Sequence, residues 1–368
     1  MTTTTAAVLR DTESPLTIEE IEVGELSAGE ILVKIRGVGI CHTDISAAHG
    51  MIPIPLPTVL GHEGSGVVQA FADDVEGFEV GDHVTISFDH CGECGQCTAG
   101  HPAYCEVFAA LNYFGTRMDG TTTLSKGEEE ISGNFFGQSS FAAHAICSKN
   151  NAVKVDKDLP LELLGPLGCG LQTGAGSVIN VLKAQEGQSI AIFGLGGVGL
   201  GAVMAAKAVG CDPIVVFDLN EDRIALAKEL GATIGFNPSE HHDLLWDVMK
   251  EVAPGVDLSF DCVGHGPVIR QALEVLKSPG HCASVGFQGL ANEITIDQGH
   301  LLLGRTFSGV IEGDADPKTF IPHLIQLYRD GKFPFDKLIK TYPIDQINEA
   351  IADSEAGKVI KPVIVFDA

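Results

Sequence analysis

The sequence predicts an α/β protein, with a mostly-β lobe followed by a doubly wound parallel sheet, and three observations support this fold class. Residues 1 to about 170 show strand patterns separated by turns and loops. From about residue 171, apolar strands alternate with helical segments, which is typical of a parallel sheet covered by helices on both faces. Beyond about residue 311 the pattern is mixed again. A chain of 368 residues is too long for one core, so we expect the segments 1–170, 171–311 and 312–368.

The clearest strand of the first segment is "EILVKIRGVG" (30–39), in which Ile31, Val33 and Ile35 alternate with other side chains. The prolines of "PIPLP" (53–57) exclude a regular helix there and indicate a loop. Two later stretches, "GHEGSGVVQAF" and "GDHVTISF", predict further strands with glycine bends. "LSKGEEEISGN" (124–134) indicates a surface excursion.

The second segment begins with the strand "SIAIF" (189–193) and an alanine-rich helix that runs to Val209. The alternation continues through the strand 213–218, the helix "EDRIALAKEL", and the strands 256–263 and 281–287. The third segment has a helical stretch, "KTFIPHLIQLYRDG", and a final strand, "KPVIVF". Residues 189–210 are apolar enough to imitate a membrane span, but their glycine turn and Lys207 favour a buried strand, turn and helix.

Composition and charge exclude several classes of partner. With 23 basic and 49 acidic residues, the formal charge of −26 repels phosphate backbones and anionic membrane surfaces, so we expect neither nucleic acid nor membrane as a partner. The opening "MTTTTAAVLRDTESP" has neither a basic nor an apolar stretch, so no signal peptide is expected. Ten cysteines without such a signal favour the cytoplasm, where thiols bind metal or pack in cores.

Four cysteines, Cys91, Cys94, Cys97 and Cys105, fall within residues 91–105. Such a group can be a redox device, a pair of disulfides or a metal cage. Disulfides conflict with the expected compartment, and a single C-x-x-C redox pair leaves two thiols without a role. The spacing C-x2-C-x2-C-x7-C lets four thiolates surround one Zn²⁺, and a site closed by four sulfur ligands cannot bind substrate. We therefore predict a structural zinc site that holds a long loop together.

"GLGGVG" (194–199) lies between an apolar strand and a helix. In this position the glycine pattern is typical of a dinucleotide-binding site. Gly194 permits the tight turn, Gly196 lets the backbone approach a pyrophosphate, and Gly199 lets helix and strand pack closely. The helix N-terminus offers amide donors to the phosphates. Asp218 ends the next strand and would accept the ribose hydroxyls, which favours NAD over NADP. Arg223 is either beside the ribose or a solvated helix charge.

Three further residues, Cys41, His62 and Cys169, are of the types that an open catalytic zinc site uses. The gaps of 21 and 107 residues between them carry no local signal. Taken singly, each is more often a packed thiol or a hydrogen-bonded core histidine.

The combination of "GICHTD", "GHEGSGVV", the four-cysteine loop, "GCGLQTG", "GLGGVG" and "FDLNEDR" resembles the zinc-dependent medium-chain alcohol dehydrogenase family, in the family's order across nearly the whole chain. The resemblance implies a GroES-like catalytic domain formed by 1–170 and 312–368, with an inserted Rossmann NAD-binding domain at 171–311. It also implies two zinc ions per subunit, one catalytic and one structural, and an oxidoreductase that moves a hydride between an alcohol and NAD. A homodimer or homotetramer formed through the Rossmann sheets is expected.

The resemblance assigns roles position by position. Cys41, His62 and Cys169 match the catalytic zinc ligands, and Asp44 matches the carboxylate that orients the histidine. Glu63 matches the acid beneath the zinc that approaches it during ligand exchange, and Thr43 matches the hydroxyl that takes the alcohol proton. Besides Asp218 and Arg223, the positions that the resemblance places near the cofactor are His42, Thr173, Gly194, Gly196, Gly197, Val198, Gly199, Val285 and Lys361.

Two positions depart from the family pattern. Many members have arginine where this chain has His42, and because histidine is mostly neutral at pH 7, we expect a weaker phosphate contact and faster NADH release. Ser46 stands where many relatives end their proton relay with a histidine, so the relay is expected to be shorter or to use water. His49 is a second candidate for the end of the relay.

The motifs most resemble the aryl (benzyl) alcohol dehydrogenase branch, which implies aromatic or allylic primary alcohols as substrates. Candidate pocket walls are Ile45, Met51, Phe88 and Phe287, although such side chains are often simply core. A glutathione-dependent formaldehyde dehydrogenase is an alternative, but it would need basic residues at the mouth of the site. A non-enzymatic zinc protein that senses NAD is another alternative, and such a protein would have no need of an open zinc site.

Overall fold

The computed structural model describes residues 2–241, 243–289 and 291–367, and the chain divides into two compact units. The first unit comprises Met1–Cys169, Asp316–Pro322 and Asp336–Ala368. The second comprises Gly170–Ala315 and His323–Phe335. The predicted α/β class, with a GroES-like domain and a Rossmann-like parallel sheet, is confirmed.

The strands are β1 Thr2–Leu9, β2 Thr17–Val23, β3 Glu30–Gly39, β4 Thr58–Val59, β5 Glu63–Phe71, β6 His83–Ile86, β7 Leu124–Lys126, β8 Glu129–Ile131, β9 His144–Ser148, β10 Ala152–Val155, β11 Ile190–Phe193, β12 Ile214–Phe217, β13 Ile234–Phe236, β14 Val256–Asp261, β15 Leu276–Ser284, β16 Arg305–Gly309, β17 Ile339–Pro343 and β18 Lys361–Val365. The helices are α1 His42–Ala48, α2 Gly95–Thr98, α3 Phe108–Tyr113, α4 Gly170–Gly176, α5 Gly197–Val209, α6 Glu221–Leu230, α7 Leu244–Val252, α8 Gly266–Glu274, α9 Gln298–Leu302, α10 Pro317–Arg329 and α11 Ile347–Glu355. Short 3-10 and π segments connect several of them.

The first unit is built on two sheets. One has the strand order β4-β1-β2-β7-β8, and the other has the order β10-β6-β5-β3-β18-β17, with β9 also paired to β3. Strand β3 is the centre of the second sheet because it pairs antiparallel with β5, β9 and β18. Its alternating apolar residues Ile31, Val33 and Ile35 are fully buried. The last strand of the chain therefore lies beside strands from its first third.

The second unit contains a six-stranded parallel sheet with the order β13-β12-β11-β14-β15-β16. Strands β11 and β12 are buried along their whole length, as expected for a sheet covered on both faces. The rings of Phe193 and Phe217 stack at 4.1 Å between centroids. Asn220 caps α6 by accepting from the N–H groups of Asp222 and Arg223, and Gly231 at φ 131° ends that helix.

One local feature differs from the sequence-based expectation, and another agrees with it. The stretch 124–134 forms the hairpin β7–β8, which adds two strands to the first sheet, because Leu124 and Ile131 are buried on one face. With three residues per strand and several glutamates, this pattern was too short to predict a strand. The apolar run 189–210 forms β11, a turn and α5. Within the described ranges, no helix is long and apolar enough to cross a membrane.

Candidate active site

The four-cysteine loop forms a compact group of sulfur atoms. Its four ligand atoms lie within 4.8 Å of one another. The distances between sulfur atoms are 3.5 Å for Cys91–Cys105, and 3.9 Å for both Cys91–Cys97 and Cys94–Cys105. A tetrahedron with Zn–S bonds of about 2.3 Å has sulfur–sulfur edges of about 3.8 Å, so these residues fit a zinc ion.

Backbone N–H groups also point at these sulfur atoms. Cys94 N lies 3.3 Å from Cys91 Sγ, and Cys91 N lies 3.4 Å from Cys105 Sγ. Hydrogen bonds from the N–H groups of Cys97 and Glu106 lower the pKa of the Cys94 thiol to about 6. Burial and the neighbouring thiols raise the pKa of Cys97 to about 12. One thiolate therefore forms readily, and further thiolates require a bound cation to compensate their charge.

A second group of possible ligands consists of Cys41, His62, Glu63 and Cys169, whose ligand atoms also lie within 4.8 Å of one another. All four belong to the first unit. Cys41 precedes α1, the pair His62–Glu63 opens β5, and Cys169 ends the unit's first segment.

Glycines bring Cys169 to this group across its gap of 107 residues. A Cβ at Gly165 would lie 1.9 Å from the carbonyl oxygen of Glu63, and one at Gly168 would lie 2.2 Å from that of Ile86. The Ser87 hydroxyl donates to the Gly168 carbonyl at 2.5 Å. The segment before Cys169 therefore packs directly on the backbones of β5 and β6, an approach that side chains would block.

The Asp44 carboxylate fixes the orientation of His62. Asp44 Oδ1 lies 2.9 Å from His62 Nδ1 and accepts from Gly61 N at 3.0 Å, while Oδ2 accepts from Cys41 N at 2.9 Å. With Nδ1 occupied by the carboxylate, the lone pair for a metal is on Nε2. Nε2 is buried and has no hydrogen-bond partner among the described residues, as expected of a metal-binding nitrogen.

The charges around His62 suit a divalent cation. Burial lowers the pKa of His62, but the charge and hydrogen bond of Asp44 raise it well above its ordinary value. The hydrogen bond of Cys169 and the positive charge of His62 lower the pKa of Cys41 well below its ordinary value. The site thus stabilises a thiolate beside a protonated imidazole, and an ion bound to both would replace that proton. Two sulfur atoms and one nitrogen leave a tetrahedral ion with an open position.

Glu63 and Lys361 form a buried ion pair under this group. Lys361 Nζ donates to Glu63 Oε1 at 2.8 Å, to Oε2 at 2.9 Å and to the Ile40 carbonyl at 3.2 Å. Glu63 is 0% and Lys361 3% exposed. The family resemblance placed Lys361 near the cofactor, and that role stays a prediction. The structure shows that Lys361 pairs with Glu63, a contact that the sequence did not indicate.

Two phenylalanines pack on the metal-facing histidine and were missed from the sequence. Phe136 stacks on the His62 ring at 4.4 Å and 26°, and Phe135 meets it edge-on at 5.6 Å and 84°. Phe136 has φ 51°, a left-handed backbone conformation that is rare outside glycine. In the sequence, "FFGQSSF" shows only an apolar pair before a turn, with no sign of this contact.

The predicted pocket and relay residues occupy different environments. Ile45 and Phe88 are buried, Phe287 of the second unit is half-buried, and Met51 is 42% exposed. Whether they line a pocket stays a prediction.

Around α1, Thr43 Oγ1 lies 3.8 Å from Cys41 Sγ, and His42 is exposed. Ser46 Oγ is buried, without a hydrogen-bond partner among the described residues. His49 lies at the surface and its Nε2 is 2.9 Å from Glu355 Oε1, and its role in the relay stays a prediction.

The second unit assembles the glycine motif at the carboxyl edge of its sheet. Gly194 follows β11 with φ 86°, and a Cβ at Gly199 would lie 1.8 Å from the Gly194 carbonyl oxygen. A Cβ at Gly196, which caps α5, would meet no atom within 4 Å among the described residues. Gly194 thus lies in the turn, Gly199 at the close packing contact and Gly196 at the open backbone, which are the roles expected of these glycines. Gly197 and Val198 form the first turn of α5.

The remaining predicted cofactor residues lie in the same unit. Asp218 follows β12 and accepts from Leu195 N at 2.7 Å and from Asn220 N at 2.9 Å. Arg223 Nη1 lies 4.0 Å from the Asp218 carboxylate. Val285 follows β15 at the same sheet edge, and the Thr173 hydroxyl donates to Glu312 at 3.4 Å. Open edges of this kind bind ligands in parallel α/β sheets.

Comparison with known proteins gives matches over nearly the whole chain. The family description "alcohol dehydrogenase GroES-like domain" matches residues 27–157, and "zinc-binding dehydrogenase" matches 197–329. A geraniol dehydrogenase of Castellaniella defragrans is 47% identical over 363 residues, which cover 98% of this chain and 97% of that protein.

Two solved structures match over 100% of both chains. An alcohol dehydrogenase zinc-binding domain protein from Burkholderia ambifaria is 45% identical with a TM-score of 0.97. The benzyl alcohol dehydrogenase of Acinetobacter calcoaceticus is 42% identical with a TM-score of 0.96. The likeness therefore extends over both units.

Lys361→Met should destabilise the protein because it leaves the Glu63 carboxylate buried without its cation. We expect the free energy of unfolding to fall by about 3–5 kcal/mol. The double variant Lys361→Met/Glu63→Gln removes both charges and should recover most of that loss. Urea unfolding of the wild type and the two variants measures this, and a double variant no more stable than Lys361→Met would contradict the importance of the ion pair.

Proposed function

The chain belongs to the zinc-dependent medium-chain alcohol dehydrogenase family, and on that premise we propose that it oxidises conjugated primary alcohols, aromatic or allylic, to aldehydes with NAD, and catalyses the reverse reduction. Membership in this family implies the use of zinc and NAD(P). The observation that carries the proposal is the close group of Cys41, His62 and Cys169. With Glu63 held by Lys361, two thiolates and one imidazole leave a tetrahedral ion with a position for a fourth ligand.

We assign the second zinc, at Cys91, Cys94, Cys97 and Cys105, a structural role, because four sulfur ligands leave no position for a substrate. At the first site, bound zinc would supply a Lewis acid that makes the alcohol hydroxyl easier to deprotonate. Asp44 holds the His62 ring with Nε2 free, and Thr43 is the group proposed to receive the alcohol proton at Oγ1. The Glu63 carboxylate is paired with the Lys361 ammonium.

The proposed substrate class rests on chemistry that two relatives' names share. Geraniol and benzyl alcohol are both primary alcohols whose carbinol carbon is bonded to an sp² carbon. Loss of hydride from such a carbon is eased because the developing positive charge is delocalised. The aromatic surroundings of His62 and the apolar candidates Ile45, Met51, Phe88 and Phe287 are consistent with an apolar substrate. We propose a preference for conjugation, rather than for one particular ring or chain.

Steady-state NADH formation tests this preference with matched pairs of alcohols. We expect kcat/KM for benzyl alcohol and geraniol to exceed that for cyclohexylmethanol and citronellol, which are saturated next to the carbinol carbon, by roughly tenfold or more. Ethanol and S-(hydroxymethyl)glutathione complete the panel. If either of these two were the best substrate, the conjugated-alcohol proposal would be wrong.

The same assay on Cys169→Ser tests the metal site. This variant should lose turnover on every alcohol and about half its zinc, because only the closed four-sulfur site remains. Zinc is determined on both proteins after gel filtration. Full zinc content and activity in the variant would show that Cys169 is not a ligand, and a wild type that holds zinc but oxidises no alcohol would favour a non-enzymatic role.

We propose NAD rather than NADP as the cofactor because the Asp218 carboxylate would accept ribose hydroxyls and repel a 2′-phosphate. Asp218→Asn keeps an oxygen acceptor for Leu195 N but removes the charge, and it leaves Arg223 nearby to attract a phosphate. We expect the ratio of kcat/KM for NADP to that for NAD to rise roughly tenfold. Asp222→Asn, which changes an exposed acid on α6 next to Arg223, is the control and should leave the ratio unchanged. A wild type that prefers NADP would overturn the proposal.

We also propose a homodimer or homotetramer formed through the sheet of the second unit. Among the described residues, β16 has no strand on its outer side, and Leu301, Leu302 and Leu303 beside it are 44%, 75% and 59% exposed. An open strand edge next to exposed leucines is a typical protein interface.

Leu302→Glu should therefore lower the mass measured by light scattering towards that of one chain, because a charge would be buried in the interface. Leu219→Glu, which is equally exposed on another part of the unit, should not change it. A monomeric wild type would contradict the proposed assembly.

A further inference from the structure

The His62 imidazole is held on three sides by the first unit. Asp44 occupies Nδ1, the Phe136 ring covers one face, and the Phe135 edge meets the ring nearly at right angles. His62 is 0% exposed. A hydrogen bond at one nitrogen leaves the ring free to tilt about that bond, whereas a stacked ring at 4.4 Å restricts the tilt.

The Phe136 ring reaches this position through an unusual backbone conformation. Its φ of 51° and ψ of 35° are left-handed, which is costly for a bulky residue and persists only where surrounding contacts enforce it. Ser139 supplies such contacts: its hydroxyl accepts from Phe135 N at 2.9 Å and donates to the Val59 carbonyl at 2.6 Å. Asn151 Nδ2 donates to the Phe136 carbonyl at 3.4 Å.

Other aromatic rings support Phe136 from the side. Tyr113 and Phe108 meet its ring at 5.4 Å and 6.3 Å, with interplanar angles of 86° and 89°. Phe135 meets it at 5.0 Å and 72°. With three rings packed at steep angles to it and His62 stacked on it, the Phe136 ring has little freedom to move away from the imidazole.

We propose that Phe136 is a positioning residue, whose strained backbone places a ring against the His62 imidazole and so keeps Nε2 directed at the catalytic metal. This inference rests on the proposed catalytic zinc site. A ligand exchanges by swinging away from its metal, and a packed ring makes that swing slower. Groups that orient a metal ligand from outside the coordination sphere typically change metal affinity by about 10–100-fold.

The test measures zinc transfer from the purified holoenzyme to a chromogenic chelator. In the wild type we expect two kinetic phases, and the phase that is missing in Cys169→Ser belongs to the catalytic site. In Phe136→Gly, that phase should become roughly tenfold faster or more, while the phase of the four-cysteine loop stays unchanged. Glycine suits a positive φ, so this substitution removes the ring without adding backbone strain.

Two further variants separate positioning from packing. Phe108→Leu removes a ring from the same cluster, one contact further from His62, and should leave both phases within about twofold of the wild type. Phe136→Tyr keeps an aromatic ring against His62, so its zinc transfer to the chelator should be as slow as that of the wild type. A wild-type rate in Phe136→Gly overturns the inference, and so does an equal acceleration of both phases, which would indicate general loosening. A wild type that releases only the four-cysteine zinc would instead refute the proposed catalytic site.

Discussion

One buried carboxylate organises the candidate active site. Asp44 is 1% exposed and accepts hydrogen bonds from Cys41 N and Gly61 N, and its Oδ1 faces His62 Nδ1. It therefore joins the start of α1, the turn before β5 and one candidate ligand in a single network. Burial of a charged group is costly unless such partners compensate it, so these contacts depend on one another. Both Cys41 and His62 take their positions from this network.

Beneath this network, the buried ion pair of Glu63 and Lys361 connects two parts of the first unit that are far apart in the chain. Lys361 opens the last strand, β18, which pairs with β3, and its ammonium reaches Glu63 on β5. The lysine that pairs with Glu63 beneath the candidate active site therefore comes from the last strand of the chain. Glu63 follows His62 directly, so the same short segment provides a candidate metal ligand and a carboxylate held by lysine.

The sequence predicted features that depend on local pattern and missed those that depend on folding. The α/β class followed from periodicity, and the compact group of four thiols followed from four cysteines within residues 91–105. Cys41, His62 and Cys169 could be grouped only through family resemblance, because their spacing carries no local signal. The partner of Lys361 and the contact of Phe136 were not predictable. The first depends on the pairing of β18 with β3, and the second on one left-handed backbone conformation.

The two cysteine clusters use similar ligands but are held in place differently. The loop sulfurs receive hydrogen bonds from N–H groups within the same few residues, such as Cys94 N and Glu106 N, so their arrangement is local. The other cluster is assembled from segments far apart in the chain and needs glycines at 165 and 168 to let backbones meet. Its geometry therefore depends on the packing of the whole first unit. A change in that core should therefore disturb the cluster of Cys41, His62 and Cys169 more than the four-cysteine loop.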